Sequence, residues 1–276
     1  MTRAAALVLL LVALTGCDPY VGYHGEHGEV CLAHDGWTRC WDEHVPDALT
    51  NAPLVIDMHG WLGRPDGQRG NSDLEAMANT EGFIVAWPYG LARSWNAGDG
   101  CCNPSARDVI DDVGFLRALV DQSIATWPVD PDRVYVTGLS NGCAMSQRFA
   151  TEASDLVAAA ACMAMVRLVE TPAEYTSVPF MALHGTNDTV VPYDGDDFIS
   201  AQANIEAWRD DNGCTGDAVT TWSEGEHAAE TWTECANGTE VALVTIQDGG
   251  HVLYSGKGTD VDTTQVAWDF MSRFAR

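Results

Sequence analysis

The sequence predicts a single domain of the α/β class, with a mostly parallel central sheet flanked by helices. Short apolar runs typical of buried strands, such as LVIDM from Leu54 and VALVTI from Val241, alternate with longer segments of helical periodicity. One passage from strand to helix contains Gly138 to Gly142, which spell G-x-S-x-G. A length of 276 residues and an apolar content of 46% suit one large domain.

The first residues have the features of an export signal. Arg3 precedes an apolar run, Ala4 to Leu14, that is too short for a permanent membrane span. The letters LTGC that end at Cys17 resemble the bacterial lipoprotein signal, which implies cleavage before Cys17 and a lipid on its thiol; ordinary cleavage is the alternative. The predicted divisions are a signal peptide (1–16), a tether (17–29) and a folded domain (30–276). The protein is then exported and either lipid-anchored to the cell envelope or secreted.

The composition limits the partners of the protein. Its 14 basic and 40 acidic residues give a net charge of −26, which argues against nucleic acids, anionic membrane surfaces and polyanionic substrates. Contact with a membrane is expected only through the N-terminal lipid. We expect a monomer that needs no metal and no other cofactor.

Eight cysteines remain when Cys17 is set aside, an even number that favours disulfides in an exported protein. Two pairs are expected from local geometry, one across a hairpin-like segment and one across a later strand pair; they are Cys31 with Cys40, and Cys214 with Cys235. The pairing of Cys101, Cys102, Cys143 and Cys162 stays open. We hypothesise a bridge from the Cys101-Cys102 pair to Cys143; a zinc site at the adjacent cysteines is a weaker alternative.

The first half of the domain is expected to alternate strands and helices. An edge hairpin over 30–45 precedes the buried strand from Leu54 to Met58. The stretch from Arg64 to Asn71 is turn-rich, after which Ser72 can cap a helix from Asp73 to about Asn79. Phe83 to Trp87 is the next strand.

A long loop over 90–104 and an amphipathic helix follow. Trp95 in the loop is a candidate aromatic wall against a substrate, and a place over the core is an equally weighted alternative. The helix is expected from about Asp108, with the acids of its first turns placed by the helix dipole and structural in role: Asp108, Asp111 and Asp112.

The G-x-S-x-G stretch predicts a strained turn that raises Ser140 above the sheet. Val134 to Thr137 is a β-branched and aromatic run, and no glycine or proline follows Cys143 for a dozen positions. Strand, sharp turn and helix therefore follow in the order that a nucleophile elbow needs. The small flanking residues, Gly138 and Gly142, avoid collisions with neighbouring segments.

An acid and a histidine follow later strands in the order that a serine triad requires. Asp188 is the first acid after the strand from Val178 to His184, and His251 ends the glycine-rich loop after Val241 to Ile246. The backbone N–H of Asn141 is the expected first oxyanion donor, and that of Trp61, or failing that Leu62, the second. We interpret His59 as structural.

Several segments resemble one family. LVIDMHGWLG (54–63), SWNAGDGCCNPSARDVIDDVGFLRALV (94–120), DPDRVYVTGLSNGCAMS (130–146), HGTNDTVVPY (184–193) and DGGHVLY (248–254) are similar to exported α/β-hydrolase esterases, the polyhydroxybutyrate depolymerases and feruloyl or acetylxylan esterases of carbohydrate esterase family 1. The resemblance implies an α/β-hydrolase fold with Ser140, Asp188 and His251 as nucleophile, acid and base. Two positions depart from the family: Cys143 stands where glycine is usual, and VLYSG follows His251 where tryptophan and proline are common.

These observations predict a serine esterase that acts on small or oligomeric esters. No polymer-binding domain is seen after Arg276, so insoluble polyester is a less expected substrate. A peptidase on the same fold, or an inactive surface-anchored binding lipoprotein, are the alternatives.

Overall fold

The structure, a computed structural model, describes residues 29–106 and 109–276. The predicted signal peptide (1–16), the anchor Cys17 and the tether up to residue 28 lie outside the described residues, as does Asp108. Within the described ranges, no helix combines the length and the apolar character needed to cross a bilayer.

Strands and helices alternate along the chain as predicted. The elements are β1 (Val30–His34), β2 (Trp37–His44), β3 (Ala52–Met58), α1 (Pro65–Ser72), α2 (Leu74–Glu81), β4 (Ile84–Pro88), α3 (Asp112–Thr126), β5 (Val129–Gly138), α4 (Asn141–Glu152), β6 (Ala159–Met163), β7 (Phe180–Gly185), α5 (Ala201–Asp211), β8 (Val219–Glu224), β9 (His227–Trp232), β10 (Val241–Ile246), the short β11 (Tyr254–Ser255) and β12 (Gly258–Thr259), and α6 (Thr263–Met271).

Ten strands form one sheet in the order β1-β2-β4-β3-β5-β6-β7-β10-β9-β8. The six strands from β4 to β10 in that order are parallel. Antiparallel hairpins close the two edges, β1 and β2 on one side and β9 and β8 on the other. This is the mostly parallel α/β-hydrolase architecture that the sequence predicts, and it brings the carboxyl ends of the central strands to one edge.

Each central strand is buried on both faces because helices cover the sheet from both sides. On β3, Leu54, Ile56 and Met58 belong to the core under α3, α4 and α5, whereas Val55 belongs to the core under α2 and α6. The period of two along the strand thus distributes one apolar run between two cores. The acid of the run, Asp57, lies on the second face.

The stretch that the sequence marks as turn-rich, Arg64 to Asn71, lies largely in helix α1. Pro65 suits the first helical turn, where no N–H is needed. Two residues of α1, Gln68 and Ser72, are buried and hydrogen-bond to Asp57, so tertiary contacts outweigh the low helix propensity of the glycines. Ser72 therefore ends α1 and does not cap α2 with its side chain.

The amphipathic helix α3 begins later than predicted, at Asp112. The side chain of Asp111 accepts a hydrogen bond from Gly114 N–H and so caps the helix. Asp112 is buried, pairs with Arg39 at 2.6 Å and accepts from Asn96 N–H. The structural interpretation of Asp111 and Asp112 is confirmed.

The structure contains disulfides between Cys31 and Cys40 and between Cys214 and Cys235, the two pairs expected from the sequence. The hypothesis of a bridge from the Cys101-Cys102 pair to Cys143 is wrong, because Cys143 is joined to Cys162 and Cys101 to Cys102. Strand β6 is the neighbour of β5, so the first turn of α4 lies directly over it, and both sulfurs of the Cys143–Cys162 bridge are fully buried.

We expect the Cys143→Ala/Cys162→Ala double variant to lose about 3 kcal/mol of the free energy of unfolding, because the bridge closes a loop across a separation of 19 residues. Urea titration of the parent and the variant measures the difference. Peptide mapping without reductant should recover a fragment that joins Cys143 to Cys162. A fragment that joins Cys143 to Cys101 or Cys102 would contradict this arrangement.

Candidate active site

Ser140 occupies the sharp turn between β5 and α4. Its backbone has φ 55° and ψ −123°, a conformation that residues with a side chain seldom adopt. The turn is held on both sides, since Ser140 N–H donates to Met163 O of β6 and Ala144 N–H donates to Ser140 O. The predicted nucleophile therefore sits at the carboxyl edge of the sheet, on a strained turn fixed by its neighbours.

The glycines of the motif allow this turn to approach β3. A Cβ atom at Gly138 would lie 2.5 Å from Met58 O, and one at Gly142 would overlap the same oxygen. Carbonyl groups of a central strand cannot move aside, because they lie within the parallel sheet. Only glycine at these two positions lets α4 begin against the end of β3, as the sequence predicts.

Asp188 and His251 meet over the ends of β7 and β10. His251 Nδ1 lies 2.8 Å from Asp188 Oδ2, and Asp188 Oδ1 accepts from the N–H groups of Val190 and Val191. A carboxylate only accepts, so Nδ1 carries the proton of a neutral His251 and Nε2 keeps its lone pair. That lone pair is what a general base uses.

Backbone hydrogen bonds hold the loops of this edge together. Thr186 N–H donates to Ile246 O, and Asn187 N–H donates to Gly249 O, so the Asp188 loop lies on the His251 loop. Within 29–106 and 109–276 no hydrogen bond joins Ser140 Oγ to His251. Such contacts commonly tighten only in the substrate complex.

The environment of Asp188 favours its charged form. Burial on its own raises the pKa of the carboxyl, yet contributions from His184, His251 and the N–H groups of Val191 and Val190 outweigh it and hold the pKa far below its usual value. His184 Nε2 is 3.6 Å from Oδ2 and donates to Val191 O at 2.8 Å, so its effect on the carboxylate is electrostatic. An ionised Asp188 stabilises an imidazolium at His251.

The two predicted oxyanion donors belong to segments next to Ser140, the start of α4 and the loop after β3. Asn141 is the first residue of α4, where N–H groups have no partner within the helix. Gly60 is pressed against the nucleophile, since a Cβ atom there would lie 3.5 Å from Ser140 Cβ. Leu62 N–H donates to Arg93 O, which removes the alternative donor and favours Trp61 N–H.

His59 is buried and neutral. Gly90 N–H donates to its Nε2, so Nδ1 carries the proton and donates to Gly60 O. Burial lowers the pKa of His59 to about 4, and the nearby charge of Arg93 acts in the same direction. The imidazole thus fixes the loop that follows β3, which agrees with a structural role.

The expectation that Trp95 contacts a substrate is wrong, because its side chain is completely buried. Its indole N–H donates to His59 O, its backbone N–H donates to Asn141 Oδ1, and Asn141 Nδ2 donates to its carbonyl. Trp95 therefore joins the loop after β3 to the start of α4. The alternative interpretation, that Trp95 packs over the core, is therefore correct.

A buried polar cluster beneath the site was missed by the sequence analysis. Asp57 accepts hydrogen bonds from Ser72, Gln68 and Trp87, and Gln68 Nε2 also donates to the hydroxyl oxygen of Tyr254, three residues after His251. Burial raises the pKa of Asp57 to about 6 although these donors oppose it. The only sequence signal was an acid inside an otherwise apolar strand.

One group of side chains among the described residues has the spacing of metal ligands. Glu29, Cys31 and Cys40 offer atoms within 4.8 Å of one another. The two cysteines are joined in a disulfide and so present no thiolates. These residues do not fit a metal ion in this state.

Comparison with known proteins finds esterases. The chain is 31% identical over 245 residues to a feruloyl esterase B of Piromyces equi, and 27% identical over 241 residues to a bifunctional acetylxylan esterase/xylanase of Neocallimastix patriciarum. These alignments cover 81% and 84% of this chain but only 42% and 33% of those relatives. A poly(3-hydroxyalkanoate) depolymerase C of Paucimonas lemoignei is 35% identical over 124 residues, 43% of this chain and 29% of that protein. The chain thus spans less than half of the length of these relatives.

Solved structures support the fold. An acetyl xylan esterase from Aspergillus awamori superposes with a TM-score of 0.64 at 17% identity, covering 85% of this chain and 94% of that one. A thermostable esterase gives 0.63 at 16% identity, with coverage of 90% and 64%. No protein-family model matches the sequence.

We expect Gly142→Ala to abolish esterase turnover and to lower the free energy of unfolding, because its Cβ atom overlaps Met58 O of β3. Gly67→Ala in α1 is the matched control, since no atom lies within 4 Å of its added Cβ; we expect it to be neutral or to stabilise by up to ~1 kcal/mol. Thermal unfolding and ester hydrolysis test both. Normal folding and turnover in Gly142→Ala would contradict this expectation, because they would show that β3 shifts to make room for the added Cβ atom.

Asp57 and His59 should give opposite pH dependences of stability. The folded pKa of Asp57 is raised, so its contribution is present below the unfolded value of 3.8 and is lost as pH rises through about 6. The folded pKa of His59 is lowered, so its contribution is present above 6.5 and is lost as pH falls through about 4. Each amounts to about 3 kcal/mol, and the two largely cancel between pH 4 and 6.5.

Asp57→Asn should reveal the contribution of His59 to the pH dependence of the free energy of unfolding. As the pH falls from 6.5 to 4, the free energy of unfolding of the variant should decrease by about 3 kcal/mol more than that of the parent. Urea titration at fixed ionic strength measures both changes. Asp217→Asn, which removes an exposed acid after α5, is the control and should track the parent. Parallel curves for the parent and Asp57→Asn would contradict the raised pKa.

Proposed function

We propose that this chain, a homologue of feruloyl esterases, acetylxylan esterases and polyhydroxyalkanoate depolymerases, is a serine esterase that hydrolyses carboxylic esters. The observation that carries the proposal is the contact of 2.8 Å between His251 and Asp188 at the sheet edge where Ser140 occupies its strained turn. Nucleophile, acid and base on the loops after β5, β7 and β10 are the parts that acyl transfer needs.

The first half-reaction forms an acyl-enzyme. His251 Nε2 takes the proton of Ser140 Oγ, and the oxygen attacks the ester carbonyl carbon to give a tetrahedral oxyanion. The C–O bond to the alcohol then breaks, and His251 returns its proton to the leaving oxygen. Asp188 remains ionised throughout and stabilises the imidazolium.

The second half-reaction releases the acid. Water takes the place of the alcohol, gives its proton to His251 and attacks the acyl carbon. The bond to Ser140 Oγ breaks, Ser140 regains a proton from His251, and the carboxylic acid leaves. The N–H groups of Asn141 and Trp61 donate to the oxyanion in both halves, and loss of one such donor typically costs 10²–10³ in turnover.

The proposed substrates are small or oligomeric esters. The relatives are named for feruloyl, acetylxylan and hydroxyalkanoate esters, which share only a carboxylic ester with an accessible carbonyl. A strongly negative chain disfavours polyanionic partners. We assign the catalytic role to the domain over 30–276.

The proposed location is outside the cytoplasm. Four disulfides among the described residues are typical of oxidising compartments. We propose that residues 1–16 are removed, that Cys17 carries the lipid and that 17–29 tether the domain. The competing functions for the same fold are a peptidase and an inactive binding lipoprotein. Active-site labelling separates the inactive lipoprotein from an esterase.

Ser140→Ala should lower kcat for p-nitrophenyl butyrate by roughly 10⁴ or more and abolish labelling by a fluorophosphonate probe, because no oxygen remains to form the acyl bond. Asp188→Asn should lower kcat by about 10⁴ while the fold persists, since the amide favours the wrong tautomer of His251. Asp248→Asn, an exposed acid in the His251 loop, is the control and should be unchanged. A fully active Ser140→Ala protein would refute the proposal.

A further inference from the structure

The segments before and after His251 are attached to different parts of the molecule. Before it, Gly249 O accepts a hydrogen bond from Asn187 N–H of the loop after β7. After it, the hydroxyl oxygen of Tyr254 accepts a hydrogen bond of 2.7 Å from Gln68 Nε2 of α1. The loop of the proposed base is therefore fixed from two directions, and the second attachment has no part in the mechanism described above.

We propose that Tyr254 is a positioning residue for the base, which through Gln68 and Asp57 holds His251 in the place where it can pass a proton to the leaving alcohol. The inference rests on the proposed esterase function and deepens it. Tyr254 itself is buried and acts on the reaction only through His251.

The link is a continuous chain of hydrogen bonds between buried groups. Gln68 Nε2 carries two hydrogen atoms and has two acceptors, Asp57 Oδ1 at 2.6 Å and the hydroxyl oxygen of Tyr254 at 2.7 Å. Asp57 Oδ2 is held in turn by Ser72 Oγ at 2.7 Å and Trp87 Nε1 at 3.0 Å. Asp57, Gln68 and Tyr254 are each at most 3% exposed, so water does not compete for these bonds. A buried polar network of this kind is rigid.

The sheet order shows what the link connects. Ser140 follows β5 and His251 follows β10, and strands β6 and β7 lie between these two strands. Asp57 belongs to β3, the neighbour of β5 on the other side. The next residue of β3, Met58, accepts a hydrogen bond from Leu139 N–H. The link therefore joins the loop of the base to the strand against which the serine turn packs.

The segment between the link and the imidazole is short and largely fixed. Leu253 is fully buried, and its carbonyl oxygen accepts a hydrogen bond of 2.7 Å from Thr263 Oγ1. Only Val252, which is 38% exposed, separates Leu253 and Tyr254 from His251. A displacement of Tyr254 is therefore passed on to the imidazole.

The test compares two butyrate esters that differ in their need for an acid catalyst. p-Nitrophenolate leaves without a proton, whereas ethoxide must receive one from His251, so a displaced imidazole slows ethyl butyrate more. Tyr254→Phe keeps the buried ring and removes the oxygen that accepts from Gln68. It should lower kcat/KM for ethyl butyrate about tenfold more than for p-nitrophenyl butyrate. The acyl group is the same in both esters, so a change in acyl binding does not alter their ratio.

Two control variants remove a buried hydrogen bond but leave the link intact. Tyr135→Phe removes a hydroxyl that donates to Phe274 O at 2.7 Å, in the same apolar core as Tyr254. Ser72→Ala removes a donor to Asp57 that lies outside the link. Both should leave the ratio of the two kcat/KM values unchanged, and thermal unfolding measures what each variant costs in stability.

Gln68→Met interrupts the link from its other end. It should shift the ratio of the two kcat/KM values in the same direction as Tyr254→Phe, and the double variant should shift it no further, because both substitutions break one link. If Tyr254→Phe does not fold, the ratio measured in Gln68→Met decides the inference.

Other outcomes overturn the inference. Equal losses for both esters in Tyr254→Phe, or the same shift in Tyr135→Phe, would mean that the hydroxyl of Tyr254 supports only the fold. Shifts that add in the double variant would mean that Gln68 and Tyr254 act separately. A parent that is active and labelled by a fluorophosphonate, with variants that keep its ratio, refutes the inference alone. A parent that is neither labelled nor active refutes the proposed function, and the inference falls with it.

Discussion

The contact between the serine turn and the end of β3 determines the geometry of the whole edge. Met58 O leaves no space for a side chain at Gly138 or Gly142, so α4 starts directly against the strand. This approach brings the N–H of Asn141 and the loop after Met58 to the same side of Ser140. An oxyanion site needs two converging donors, and the packing of one strand against one turn supports the proposed pair.

Trp95 and His59 stabilise that contact from inside the molecule. The indole of Trp95 donates to His59 O while its backbone pairs with the amide of Asn141, so one residue links the loop after β3 to the start of α4. His59 can accept the hydrogen bond from Gly90 N–H at Nε2 only while its imidazole is neutral. Burial, which lowers its pKa, therefore supports the geometry of the site as well as the packing.

Much of the architecture could be predicted because the signals were local. Short apolar runs marked the central strands, glycines marked the elbow, and short cysteine separations marked two disulfides. Three features could not be predicted, because each depends on a distant partner. Helix α1 is stabilised by Asp57, the Cys143–Cys162 bridge requires the β5–β6 neighbourhood, and Tyr254 contacts Gln68 across a separation of 186 residues.

The two tryptophans show why residue type alone does not identify a ligand contact. Both lie in loops at the carboxyl edge, and both use the indole N–H to bind a backbone carbonyl, His59 O for Trp95 and Asn103 O for Trp61. The difference lies in what covers the ring. Trp95 is enclosed by the core, where an aromatic ring contributes most to stability, whereas half of Trp61 remains accessible. A sequence reports the ring and its loop but not the neighbours that cover it, so burial assigns Trp95 to the scaffold, whereas the ring of Trp61 stays accessible.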